Sequence, residues 1–154
     1  MNTSVIKSNS SQSKSAIAAS DRSAAKRRPV TSALLVDDDP FMLEVVSDML
    51  RKLGVPSVVT ALNGAAGISA YDRAANKPDL VVCDLGMPVT DGFELMELLS
   101  ARRFTGGVIL TSGMDERTLK SATLMAKFHR LQFLATLKKP IDRAALGAAI
   151  DALS

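Results

Sequence analysis

Leu80-Val81-Val82-Cys83 is an apolar run with no polar alternation, and it ends at Asp84. Such a run reads as a strand buried on both faces, as in a parallel sheet. Gly86 and Pro88 stop it, because neither extends a ladder. Asp84 is then the last strand residue, at the carboxyl end, where open α/β sheets place their ligands. Asp91 reads as the cap of a helix through Phe93, Leu95, Met96, Leu98 and Leu99. A carboxylate so placed is a nucleophile, a metal ligand or a turn former, and the rest of the chain has to decide which.

The same strand–turn–helix grammar recurs along the chain. Ala33-Leu34-Leu35-Val36 is a short apolar run followed by Asp37-Asp38-Asp39-Pro40. Asp39 has the character of an N-cap with Pro40 at the first helical position. Met42, Leu43, Val46, Met49, Leu50 and Leu53 follow at helical spacing, and Gly54 closes that helix. Pro56 to Leu62 is a second strand, and Asn63 to Ala75 a helix of small residues. The helix after Asp84 runs to about Arg102, and Val108 to Thr111 is a fourth strand turned by Ser112-Gly113. Asp115 or Glu116 opens a helix through Leu119, Ala122, Leu124, Met125 and Phe128. Phe133 to Leu137 is a fifth strand ended by Lys138-Lys139-Pro140, and Asp142 to Leu153 is the last helix. Five strands alternating with five helices predict an α/β fold, a parallel sheet with helices on both faces. The expected strand order is 2-1-3-4-5, with the switch point between strands 1 and 3.

Bulk properties narrow the class. The 154 residues suffice for one domain with a full core, and no apolar run approaches the length of a membrane span. The net charge of +3 misleads. Residues 1–31 hold six basic side chains against Asp21, an excess of +5, so the remainder carries −2. The reading is a disordered, basic, Ser/Ala-rich tail over 1–31 joined to a mildly acidic domain over 32–154. The tail lacks the apolar core of a secretory signal, although its Ser- and Arg-rich, acid-poor make-up superficially resembles an organelle transit peptide. Cys83 is the sole cysteine and sits in an apolar strand, so a buried small hydrophobe is expected and nothing points to an oxidising compartment. The expected location is cytoplasmic. His129, late in a helical pattern and without a second His or Cys nearby, is a poor metal ligand.

The strand ends carry the chemistry. Asp37, Asp38 and Asp84 gather at the switch point, where they raise one another's pKa values or hold a cation. Oxygen-only ligands suit a hard ion that keeps several waters, Mg²⁺ above all, and nothing suits zinc. Thr111, ending strand 4, adds a hydroxyl, and Lys139, ending strand 5, adds a point cation. An anionic nucleophile, a divalent metal, a hydroxyl and an ammonium are the elements of phosphoryl transfer, with Asp84 as attacking carboxylate. Each signal alone has a bland alternative: a solvated cap at Asp37 to Asp39, an ordinary strand end at Thr111, a loop at Lys139-Pro140. Gly64-Ala65-Ala66-Gly67 lacks the first glycine of a dinucleotide fingerprint, no phosphate-binding P-loop string occurs, and no acid stands two residues after Asp84 as in a haloacid-dehalogenase-type hydrolase.

From about Ala33 to Leu153 the chain resembles the receiver domain of bacterial two-component response regulators. The resemblance rests on Leu35-Val36-Asp37-Asp38-Asp39-Pro40, on Asp84 to Gly92, on Leu110-Thr111-Ser112 and on Lys139-Pro140. It implies the flavodoxin-like receiver fold, Asp84 as phosphoacceptor, and Mg²⁺ held by Asp37, Asp38, Asp84 and the Gly86 backbone carbonyl. It implies Thr111 and Lys139 on the phosphoryl oxygens, and a cis Lys139-Pro140 peptide. Where the family often has an aromatic three residues before the lysine, this chain has Thr136. Leu124 to Leu137 also resembles receivers fused to cyclic-di-GMP phosphodiesterase domains.

The function so implied is that of a stand-alone phosphorelay response regulator. A histidine kinase or histidine phosphotransfer protein would phosphorylate Asp84, and the face of the fourth helix, fifth strand and fifth helix would then switch a protein partner. No enzyme activity is expected beyond its own aspartyl phosphorylation and dephosphorylation, and no DNA-binding domain. Two alternatives stand beside it: a phosphorylation-independent receiver-like interaction module, and tail-driven nucleic-acid binding, which the absence of aromatics in residues 1–31 disfavours. Gly86 and Gly113 leave the site unshielded, so fast hydrolysis of the acyl phosphate is expected.

Overall fold

The structure, a computed structural model, describes residues 29–87, 89–113 and 130–153. Its elements are β1 (Ser32–Val36), α1 (Pro40–Lys52), β2 (Ser57–Ala61), α2 (Gly64–Arg73), β3 (Leu80–Asp84), α3 (Val89–Ala101), β4 (Gly107–Ser112), β5 (Gln132–Lys138) and α4 (Arg143–Leu153). The helix expected between β4 and β5, with His129 near its end, lies outside the described residues, as does most of the tail.

All five strands are parallel, in the order β2-β1-β3-β4-β5. β3 is central and every one of its residues is buried, as its unbroken apolar run requires. Two cores flank the sheet. On one face, Tyr71 of α2 and Leu95, Met96 and Leu99 of α3 pack on Val36, Val81, Cys83 and Leu110. On the other, Leu43, Val46 and Leu50 of α1 and Leu146, Ala149 and Ile150 of α4 pack on Leu35, Leu80, Val82 and Ile109. Residues alternating along one strand thus feed opposite cores. Val30 belongs to the second core, just ahead of β1.

Local chemistry sets the helix ends. Asp39 caps α1, its carboxylate accepting from Phe41 N, with Pro40 first in the helix. Gly54 adopts φ +95° after α1, and Val55 N bonds back to Leu50 O. Asn63 caps α2 through Ala66 N. Asp142 accepts from Ala145 N at the start of α4.

One boundary differs from expectation. α3 begins at Val89, directly after Pro88, so Asp91 falls in the first turn and is not the cap. Acidic residues favour both the cap and the first turn of a helix, so the sequence signal does not separate the two positions. Where β4 meets β5 the register slips at Val108/Ile109: Val108 pairs with Phe133, but Ile109 pairs with Ala135. Leu134 is the extra residue of this bulge.

Candidate functional site: a carboxylate cluster at the strand ends

Every candidate residue sits at the carboxyl end of a strand or within two residues beyond it. Val36 is in register with Cys83, so Asp37 and Asp84 follow at the same level. Asp84 is in register with Thr111, which puts both side chains on one face of the sheet. Ser112 pairs with Lys138, so Lys139 is the next residue out, held there by its N–H on Ser112 O at 2.9 Å. The turn after Asp84 is tied down in the same way, Leu85 N donating to Thr111 O at 2.8 Å.

Asp37 and Asp84 are almost fully buried and are treated alike by the fold. One oxygen of each accepts from a backbone N–H two residues on, Asp37 Oδ1 from Asp39 and Asp84 Oδ1 from Gly86, both at 2.9 Å. The other oxygen of each faces Lys139 Nζ, at 3.1 Å from Asp37 and 3.2 Å from Asp84. Asp38 is exposed and takes no part in that pairing. Ligand oxygens of all three aspartates lie within 4.8 Å of one another. Thr111 is buried beside them. The Lys139-Pro140 peptide is cis.

Burial raises the Asp84 pKa above the usual carboxylate value, with Asp37 adding to the rise while the Gly86 N–H and Lys139 oppose it. Burial opposes the charge on Lys139, but its bond to Asp37 and the fields of Asp84 and Asp37 outweigh this and raise its pKa. Three carboxylates against one ammonium leave a formal charge of about −2, which a divalent cation would compensate. An oxygen-only donor set, two members buried and one open to solvent, fits a hard ion that keeps water ligands, and Mg²⁺ is such an ion.

The structure therefore brings Asp37, Asp38, Asp84 and Lys139 together directly, Thr111 by register and Gly86 through its N–H. One contributor escapes a reading of the sequence, and so does one exposed aromatic beside the site. Asp39 is visible as a cap, yet its N–H also orients Asp37. Phe41, in the first turn of α1, is 68% exposed, an unusual state for a phenylalanine. Its place directly after the Asp-Asp-Asp-Pro turn was the available signal.

Comparison with known proteins agrees with this fold. Residues 33–151 match the family described as response regulator receiver domain. The chemotaxis protein CheY of Bacillus subtilis is 33% identical over 86 residues, which are 56% of this chain and 70% of that protein. A protein-glutamate methylesterase/protein-glutamine glutaminase of Natronomonas pharaonis is 38% identical over 96 residues, but the chain spans only 26% of its length. The crystal structure of a response regulator from Colwellia psychrerythraea superposes with a TM-score of 0.68 at 26% identity, covering 80% of this chain and 96% of that one.

Proposed function

The chain belongs to the response regulator receiver domain family, and from that premise we propose that Asp84 accepts a phosphoryl group from the phosphohistidine of a histidine kinase or phosphotransfer protein. A carboxylate oxygen of Asp84 attacks phosphorus as the N–P bond breaks, and the electron pair returns to the imidazole, which takes up a proton. Lys139 neutralises charge on the transferring oxygens, and the Thr111 hydroxyl donates to one of them. Asp37, Asp38, Asp84 and the Gly86 carbonyl are the proposed Mg²⁺ ligands; the ion would supply further charge neutralisation at the phosphoryl group.

The observation that carries this reading is the state of Asp84: buried at the end of the central strand, with one oxygen held by Gly86 and the other beside Lys139. Phosphorylation would draw Thr111 and Lys139 inward and alter partner binding on the face of β5, α4 and the segment between β4 and β5. The basic residues 1–31 are proposed to be a tail separate from that switch, and the location is proposed to be cytoplasmic. Among the described residues no helix is long and apolar enough to cross a membrane.

The decisive experiment is intact-protein mass after incubation with Mg²⁺ and a small phosphodonor, beside Asp84→Asn. A single phosphoryl adduct on the wild type, absent in the variant and after chelation, is expected. A folded protein that takes no adduct would transfer the reading to a phosphorylation-independent interaction module.

A further inference from the structure

α1 carries a second face of interest, toward the end of β2. Leu43, Glu44, Ser47 and Arg51 recur at helical spacing and line a groove of about 680 Å³, whose other wall is Thr60 and Leu62 at the end of β2. Among the described residues neither Glu44 nor Arg51 has an ion-pair partner. They stand seven residues apart, about 10 Å along the helix. Ser47 lies between them, a small buried residue whose hydroxyl has no hydrogen-bond partner in the structure. β2 is the edge of the sheet, and Leu62 directly after it is 49% exposed. An edge strand beside a half-exposed leucine is a surface that proteins usually cover.

We propose that this groove is a face through which two copies of the chain associate about a two-fold axis, Glu44 of each copy meeting Arg51 of the other. The charge order selects this occupant. A partner laid along α1 must present a cation opposite Glu44 and, about 10 Å on, an anion opposite Arg51. A second α1 running antiparallel presents that order with no further requirement, because in an isologous contact residue i meets j and j meets i. The axis then passes beside Ser47, a small buried residue that adds no bulk where the two helices approach. Leu62 supplies apolar area that two exposed ion pairs alone would lack. The groove includes none of Asp37, Asp38, Asp84, Thr111 and Lys139, so this association does not depend on the phosphorylation reading.

The test is sedimentation velocity on the full chain over a range of concentrations, without Mg²⁺ or phosphodonor. The wild type is expected to show a monomer–dimer equilibrium. Glu44→Arg and Arg51→Glu, each of which sets like charges face to face, are each expected to weaken it about tenfold or more. The double reversal restores it, and so does an equimolar mixture of the two single variants, which can pair only with each other. Both substitutions are on a solvated helix face, and circular dichroism checks that the fold is retained. A wild type that stays monomeric throughout overturns the proposal and leaves the groove to a partner of different sequence. A dimer indifferent to both reversals overturns it as well, by assigning the contact to another face.

Discussion

Lys139 reaches Asp84 across an intervening strand: its Nζ lies 3.2 Å from Asp84 Oδ2 although β4 separates β5 from β3. The same ammonium holds Asp37 at 3.1 Å. Replacing Lys139 by Ala leaves two buried carboxylate oxygens facing each other. Loss of about 1–3 kcal/mol in urea unfolding at neutral pH without Mg²⁺ is expected. Millimolar Mg²⁺ should recover part of it, because binding to the folded state alone stabilises. No recovery, or recovery that persists in Asp38→Asn, would contradict the assignment of the metal site.

The raised Asp84 pKa has a definite sign for stability. The folded chain keeps this proton to higher pH than the unfolded chain, whose carboxylate titrates near 3.8. Between those two values the folded state binds more protons, so stability falls as pH rises through the folded pKa. Asp84→Asn lacks that fall. It is therefore expected to be more stable than wild type at neutral pH without Mg²⁺, with the difference shrinking as pH is lowered toward 4. Parallel urea titrations of the two proteins over that range decide it. For Lys139, whose pKa is raised above 10.5, the stabilising contribution is present below that value and lost as pH climbs through the folded pKa.

The two glycines flanking the site are not equivalent. A Cβ on Gly86 would meet Asp84 Oδ2 at 3.1 Å and Oδ1 at 3.2 Å, whereas one on Gly113 would meet nothing within 4 Å. Gly86→Ala must push the carboxylate aside by a few tenths of an ångström, and about a three- to tenfold slower reaction with a small phosphodonor is expected. Gly113→Ala should leave that rate within about twofold. The longer Gly86→Arg tests shielding, and a longer phosphoaspartate lifetime is the expected result.

Arg103 occupies the left-handed region, φ 56°, at the end of α3, where Phe104 N bonds to Leu99 O and Arg103 N to Ser100 O. This is the position glycine fills after α1, at Gly54. Arg103→Gly should stabilise by about 0.5–1 kcal/mol and Gly54→Ala should destabilise by about 1 kcal/mol. Thermal melts of the pair read opposite signs.

Phe41 stands exposed beside the acidic turn, where a phosphodonor protein would approach. Phe41→Asp is expected to leave unfolding stability within about 0.5 kcal/mol and small-donor phosphorylation unchanged. Phosphotransfer from a donor protein should fall about tenfold. Equal loss with both donors would place Phe41 in the site's own support instead.

Much of this fold is legible in the chain because its signals are local and agree with one another. The apolar run ending at Asp84, the Asp39-Pro40 start of α1 and the Gly54 stop each act within a few residues, and together they fix the strand and helix order. The carboxylate cluster is legible for the same reason, as each member ends a strand or directly follows one. What the sequence conceals depends on relations across the sheet. That Asp39 supports Asp37 through its N–H, that one ammonium serves both Asp37 and Asp84, and that Glu44 and Arg51 share a groove with Leu62 all follow from packing. The start of α3 escaped because Pro88 and Asp91 are both acceptable helix openers, and propensity does not rank them.

The bulge at Leu134 gives β5 one more residue than β4 needs between Val108 and Ser112. Strand β5 is therefore a ruler with an added division, and the lysine beyond it is set by counting. Deleting any one residue between Phe133 and Lys138 either erases the bulge or draws Lys139 back by one step, about 3.3 Å, and turns it to the other face. A chain aligned here with a one-residue gap keeps its lysine in place only by giving up the bulge.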